Sequence, residues 1–169
     1  MTDPTLRYHV DGELVAAGSA GVSVHDRGFL YGDAVGETLR AYGGTVFRWD
    51  AHADRIDTAS AALSIDHGHS AAELKRRIDE TIAANRIDDA RLRLSITRGR
   101  DSETLTPAAE FDPTVVIQVT PLPPGGPDAD PVWDAPATLQ TVKTRRIGDD
   151  AVPAAARTHN ALDRVLARA

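Results

Sequence analysis

The chain has 169 residues, 41% hydrophobic and 26% charged, enough for one ordinary globular domain with a buried core. Its 19 lysines and arginines against 25 aspartates and glutamates leave a net charge of −6, which argues against nucleic acid as a partner because phosphate binding needs a basic surface. With Cys at 0, disulfides, thiolate metal sites and thiol nucleophiles are excluded; no apolar run approaches the ~20 residues of a membrane span, and Met1–Pro4 lacks the features of a signal peptide, so a cytoplasmic protein is expected.

The kind of charge says more than the sum. Lys75 and Lys143 are the only lysines, and aspartate far outnumbers glutamate. That bias fits a halophilic protein, whose acidic surface keeps it solvated at high salt, and GC-rich codon usage produces the same bias.

Leu6–Val10 and Glu13–Ala17 flank Asp11-Gly12, and Val35–Tyr42 and Thr45–Trp49 flank Gly43-Gly44; both patterns predict hairpins. Asp50 is the expected cap of a helix from Ala51 to about Leu63, with Ile56, Ala59 and Leu63 on its apolar side. Ser70 and Glu73 form a capping box that opens a second helix through Asn85, with Leu74, Ile78 and Ile82 on one stripe. Arg91–Thr97 alternates as a half-buried strand, whereas the run Val115-Val116-Ile117 predicts that strand Thr114–Thr120 is buried on both faces. Pro121–Pro136 reads as a Pro/Gly-rich linker, followed by a strand over Thr138–Thr144 and a helix from Thr158 with Leu162, Val165 and Leu166 apolar.

Three segments carry polar residues suited to chemistry. His25–Asp33 packs polar, aromatic and glycine residues together, as either a binding loop or a hydrogen-bonded corner. His52 and Arg55 share a helix face at i and i+3. Arg98-Gly99-Arg100 ends a strand, where a guanidinium binds a carboxylate or phosphate or simply closes a turn.

Taken in order, "DRGFLYGDAVGETLRAYGGTVFRWDAHADRI" (26–56), "RLSITRGR" (93–100) and "KTRRIGDDAVPAAARTHNALDRVLARA" (143–169) resemble the class IV, or fold-type IV, pyridoxal-phosphate enzymes: branched-chain and D-amino acid aminotransferases and aminodeoxychorismate lyase. The resemblance runs from about Leu6 to the last residue. It implies an α/β fold with an α+β-like small domain (1–120), a linker (121–136) and the start of a larger cofactor domain (137–169), expected to be incomplete. It further implies pyridoxal 5'-phosphate as cofactor, amino acids and 2-oxo acids as substrates, and a homodimer or a pairing with a full-length relative. Arg55 matches the arginine that grips the cofactor phosphate, Arg98 the place where some members put a substrate-carboxylate arginine, and Tyr31 a segment lining the pocket or the dimer contact. Gly36 stands where some members carry an aromatic ring and enlarges that side of the pocket.

Two features depart from the family. Arg157 occupies the position of the lysine that forms the Schiff base, and a guanidinium, protonated up to a pKa of ~12 or more, is neither an amine nucleophile nor a base. Ala161 replaces a common aromatic, and Lys143 lies too early in the chain to substitute. The expectation is a branched-chain-type aminotransferase relative that is inactive alone. An aminodeoxychorismate lyase-like activity and a non-enzymatic module pairing with a longer relative are the alternatives.

Overall fold

In the computed structural model, which describes residues 5–100, 104–122 and 140–169, both expected hairpins form. Strands β1 (Arg7–Val10) and β2 (Glu13–Ala16) are joined by Asp11 and Gly12 at φ 46° and 97°. After a short helix α1 (Arg27–Tyr31), β3 (Ala34–Tyr42) and β4 (Thr45–Val46) are joined by Gly43 and Gly44 at φ 54° and 74°. Two consecutive left-handed residues give a turn whose twist matches its strands. Helices α2 (Trp49–Ala62) and α3 (Ala71–Asn85) follow, then β5 (Ala90–Arg100) and β6 (Asp112–Pro121). The six strands form one antiparallel sheet in the order β2-β1-β6-β5-β3-β4, so the mixed fold is of the α+β kind.

Strand alternation builds the core. Register places Val35 opposite Ile96 and Ile96 opposite Val115, and four residues along places Leu39, Leu92 and Val119 in a parallel row. Ile56 and Ala59 of α2 and Leu74, Ile78 and Ile82 of α3 belong to the same buried cluster. Each of these leucines and isoleucines contributes about 1.5–3 kcal/mol on burial. The middle row of the sheet sets Glu37 beside Leu94 and Ile117, an acid among apolar neighbours.

The Ser70 cap forms as expected, with its hydroxyl accepting from the Glu73 amide at 3.2 Å. Glu73 turns its own carboxylate to Arg77 and His69. Ser70→Ala should cost about 1 kcal/mol, read as a lower urea midpoint at unchanged slope.

Several expectations are corrected. β4 is two residues long, and the chain turns at Arg48 in the left-handed region, so α2 begins at Trp49 without a side-chain cap. Asp50 lies inside the first turn, where its charge suits the helix dipole, rather than at the cap. β6 is buried on one face only: Val115, Ile117 and Val119 are inside, while Val116 is partly covered and Gln118 exposed. Residues 140–144 form no strand; 138 and 139, like 123–136 of the expected linker, lie outside the described residues. The last helix is short, α4 (Leu162–Leu166), because the residues before it run extended along the sheet. Its Leu162, Val165 and Leu166 are exposed. Among the described residues, no helix is long and apolar enough to cross a membrane.

Candidate functional site

β4 pairs only with Ala41 and Tyr42, which leaves the earlier part of β3 without a neighbour on that side. Residues 157–159 take the open edge. The Gly36 amide donates to the Arg157 carbonyl and the His159 amide to the Ala34 carbonyl, both at 3.2 Å, with Thr158 opposite Val35. A 3-10 turn, Ala154–Ala156, leads into this segment and buries Ala156. Arg157 itself sits at φ 43°, a backbone state that costs a non-glycine residue energy and must be held by its contacts.

Those contacts centre on Glu37, whose side chain is 1% exposed. From α2, Arg55 donates from Nε to Oε1 at 3.2 Å and from Nη2 to Oε2 at 3.1 Å. His52, one turn earlier, places Nδ1 2.7 Å from Oε2. Nδ1 also lies 2.6 Å from Arg55 Nη2, so with the proton on Nδ1 the imidazole donates to the carboxylate and Arg55 relies on Glu37 as its acceptor. Arg157 Nε pairs with Oε1 from the sheet edge. Burial alone would push the Glu37 carboxyl up; hydrogen bonds from Arg55 and His52, with the charges of Arg157 and Arg55, outweigh it and hold it below 4.5.

The opposite side of β3 is shaped by glycine. A Cβ on Gly36 would lie 2.8 Å from His159 Nε2, so the imidazole rests where a side chain at 36 would stand. Nε2 is buried without a partner, and burial, reinforced by the charge of Arg93 and opposed by Asp26, lowers the His159 pKa to about 4. His159 is therefore a neutral wall at ordinary pH. Beside it opens a cleft of about 460 Å³ whose lining includes Gly36, Glu37, Arg93, Arg146, Arg157 and Arg164.

The residues marked from sequence scatter around this cleft. Gly36 and Arg157 line it. Arg55 borders Glu37 without lining the cleft. Tyr31 ends α1 at 39% exposure, with the Arg27 guanidinium 4.9 Å from its ring centre. Arg98 is buried elsewhere. A bulge between Thr97 and Arg100 interrupts the alternation of β5, with Gly99 so close to Asp112 that a Cβ would overlap its carbonyl. Arg98 donates to both oxygens of Asp33, at 2.7 and 3.2 Å, and to the carbonyls of Leu63 and Ser64, tying the end of α2 to the turn before β3. The segment His25–Asp33 is thus a hydrogen-bonded corner: Asp26 caps α1 through the Gly28 amide and accepts from Thr97 Oγ1 at 2.7 Å.

Sequence reasoning missed Glu37 as the hub, although an acid in step with Val35 and Leu39 was the signal. It also missed Arg93, Arg146 and Arg164, which are far apart in the chain and meet only through the fold.

A covalently held aldehyde cofactor does not fit these residues. No lysine lines the cleft: Lys75 is on α3, bonded to Asp79, and Lys143 is exposed.

The profile of the family described as amino-transferase class IV matches residues 34–169. A Methanocaldococcus jannaschii protein named for branched-chain-amino-acid aminotransferase activity is 35% identical over 96% of this chain and 54% of its own length. The crystal structure of 4-amino-4-deoxychorismate lyase from Pseudomonas aeruginosa is similar at a TM-score of 0.78 and 28% identity, covering 95% of this chain and 55% of that one. The branched-chain aminotransferase of Thermoproteus uzoniensis shares the fold at a TM-score of 0.83 and 23% identity, covering 95% and 54%. The chain spans about half the length of these relatives.

Proposed function

The chain belongs to the class IV aminotransferase family, and we propose that it is a member that has lost amino-group transfer while keeping a polar ligand cleft. The family's enzymes use pyridoxal phosphate to move amino groups between amino acids and 2-oxo acids. In this reading the chain descends from a branched-chain-type enzyme and binds without covalent capture. The observation that carries it is Arg157. At the position that matches the family's lysine stands a guanidinium, permanently charged and without a nucleophilic lone pair, and its Nε is paired with buried Glu37. An aminodeoxychorismate lyase-like activity would need the same lysine and fails with it.

The test is chemical. Incubation with pyridoxal phosphate, borohydride reduction and peptide mapping should give no stoichiometric pyridoxyl adduct at Lys75 or Lys143. No turnover should be seen with 2-oxoglutarate and a panel of amino donors. A saturable adduct at either lysine would overturn the reading.

A further inference from the structure

We infer that the cleft beside β3 and β5 is a non-covalent site for a phosphate-ester dianion, held by Arg93, Arg146 and Arg164. The inference rests on the reading above and adds the class of ligand and the residues that hold it.

The charge distribution is the first argument. In a chain of net charge −6, four arginines face one concavity, and the carboxylate among the lining residues is Glu37. Glu37 is already paired with Arg55, His52 and Arg157, so its charge is neutralised from the protein side. Arg146 and Arg164 have no ion-pair partner among the described residues, and Arg93 donates from Nε to Ser95 Oγ at 3.4 Å without an ion-pair partner among them. Like charges gathered without counter-charge repel one another, and an anion between them removes that cost.

The arginines are also held in place. The Asp163 carboxylate accepts from the backbone amides of Ile147 and Arg164, at 3.2 and 2.7 Å, fastening the 146–147 stretch to the start of α4. This brings Arg146 and Arg164, 18 positions apart in the chain, to the same wall. Arg93 projects from β5 on the face opposite the Leu92–Leu94 core side, level with Thr38. Asp26, an acid whose charge reaches His159, is fully buried and bonded to Gly28 and Thr97.

Stoichiometry of donors selects the ligand. Guanidinium forks bind carboxylate and phosphate in pairs of parallel hydrogen bonds. Three forks offer more donors than the two oxygens of a monocarboxylate accept, whereas a phosphate ester presents three terminal oxygens and about two charges. The cleft volume of about 460 Å³ falls within the range of small-molecule sites, leaving room for an organic group beyond the phosphate. Arg55, the arginine at the family's phosphate position, is absent from the lining and spent on Glu37, so this phosphate site is a different one.

Isothermal titration at low salt with phenyl phosphate, inorganic phosphate and acetate tests the assignment on the full chain. Phenyl phosphate should bind saturably at one site with a Kd on the order of 100 µM, weakening as salt rises from about 0.02 to about 0.2 M. Acetate should bind at least about tenfold more weakly. Inorganic phosphate equal to phenyl phosphate identifies the free ion as the ligand, and a weaker inorganic phosphate identifies the ester; both support the dianion site. Arg93→Gln with Arg164→Gln should weaken binding at least about tenfold, while Arg76→Gln on the exposed side of α3 should leave it within about threefold. No saturable heat with either phosphate, acetate as strong as phosphate, or undiminished binding by the Arg93→Gln, Arg164→Gln variant would each overturn it. These outcomes are read without any lysine adduct, so a covalent adduct in the borohydride experiment sinks the functional reading and a silent titration sinks this one.

Discussion

Asp33→Ala should cost about 3–5 kcal/mol of stability, the largest single effect expected in this chain. Its carboxylate is shared by Arg98 Nε at 2.7 Å and Arg27 Nε at 2.9 Å, and the two guanidinium groups are 7% and 4% exposed. Removing the acid leaves Arg98 buried against Phe111 with only the carbonyls of Leu63 and Ser64 as acceptors. A buried cation stripped of its counter-charge loses its Coulomb partner and recovers no hydration. Asp33→Asn, which keeps one acceptor oxygen, should cost less, about 1–3 kcal/mol. Urea midpoints measure both, and a change below about 1 kcal/mol for the alanine variant would show the cluster to be dispensable.

The same cluster sets a pH signature. Burial pushes the Asp33 carboxyl up, but hydrogen bonds from Arg98 and Arg27 outweigh it and hold it below 3.8. A carboxyl depressed in the folded state stabilises fully above its unfolded value and loses that contribution as pH falls through the folded one. Stability of the wild-type chain should therefore decline below about pH 3.8 on account of this group. The Asp33→Ala variant, already weakened, should show a flatter acid limb in the same titration.

Substituting Arg55 and Arg157 together by methionine should cost about 2–4 kcal/mol, whereas Glu37→Met should cost under about 1.5 kcal/mol. The asymmetry follows from exposure. Glu37 is 1% exposed, while Arg55 and Arg157 are 43% and 44% exposed. Losing both arginines strands a buried carboxylate with His52 alone; losing the carboxylate releases two arginines into water. Solvent screens part of the attraction of the half-exposed pairs, and the range is discounted for it. Each single arginine change should cost much less than half the double change, because the other still neutralises the acid. Hydrogen exchange supplies a local readout: the His159 amide, bonded to the Ala34 carbonyl, should lose protection whenever the Arg157–Glu37 link is cut. A double variant no less stable than Glu37→Met would refute the account.

What could be read from the sequence was whatever depends on near neighbours in the chain. Asp11-Gly12 and Gly43-Gly44 fix their hairpins because few other residue pairs adopt two left-handed conformations in succession. The apolar stripe of α3 and the alternation of β5 through Leu94 follow from periods of 3.6 and 2, although Ser95–Gly99 are buried on both faces, and Ser70 caps its helix through an amide three residues on. That residue 157 is an arginine, and that the only lysines are Lys75 and Lys143, is likewise a fact of the sequence.

Only the tertiary structure decided where the polar side chains spend their charge. Arg98 has the look of a ligand-binding residue at a strand end, yet a bulge and the close approach of Asp112 turn it inward to Asp33, which lies 65 positions earlier. Glu37 looks like any strand acid until α2 and residue 157 arrive from opposite sides to enclose it. The short β4 opened an edge that residues 157–159 occupied, and this cut back the expected last helix. The physical reason is common to all three. Local propensity is set by a few adjacent torsions, whereas a buried charge must find its partner wherever the sheet order brings one within about 3 Å.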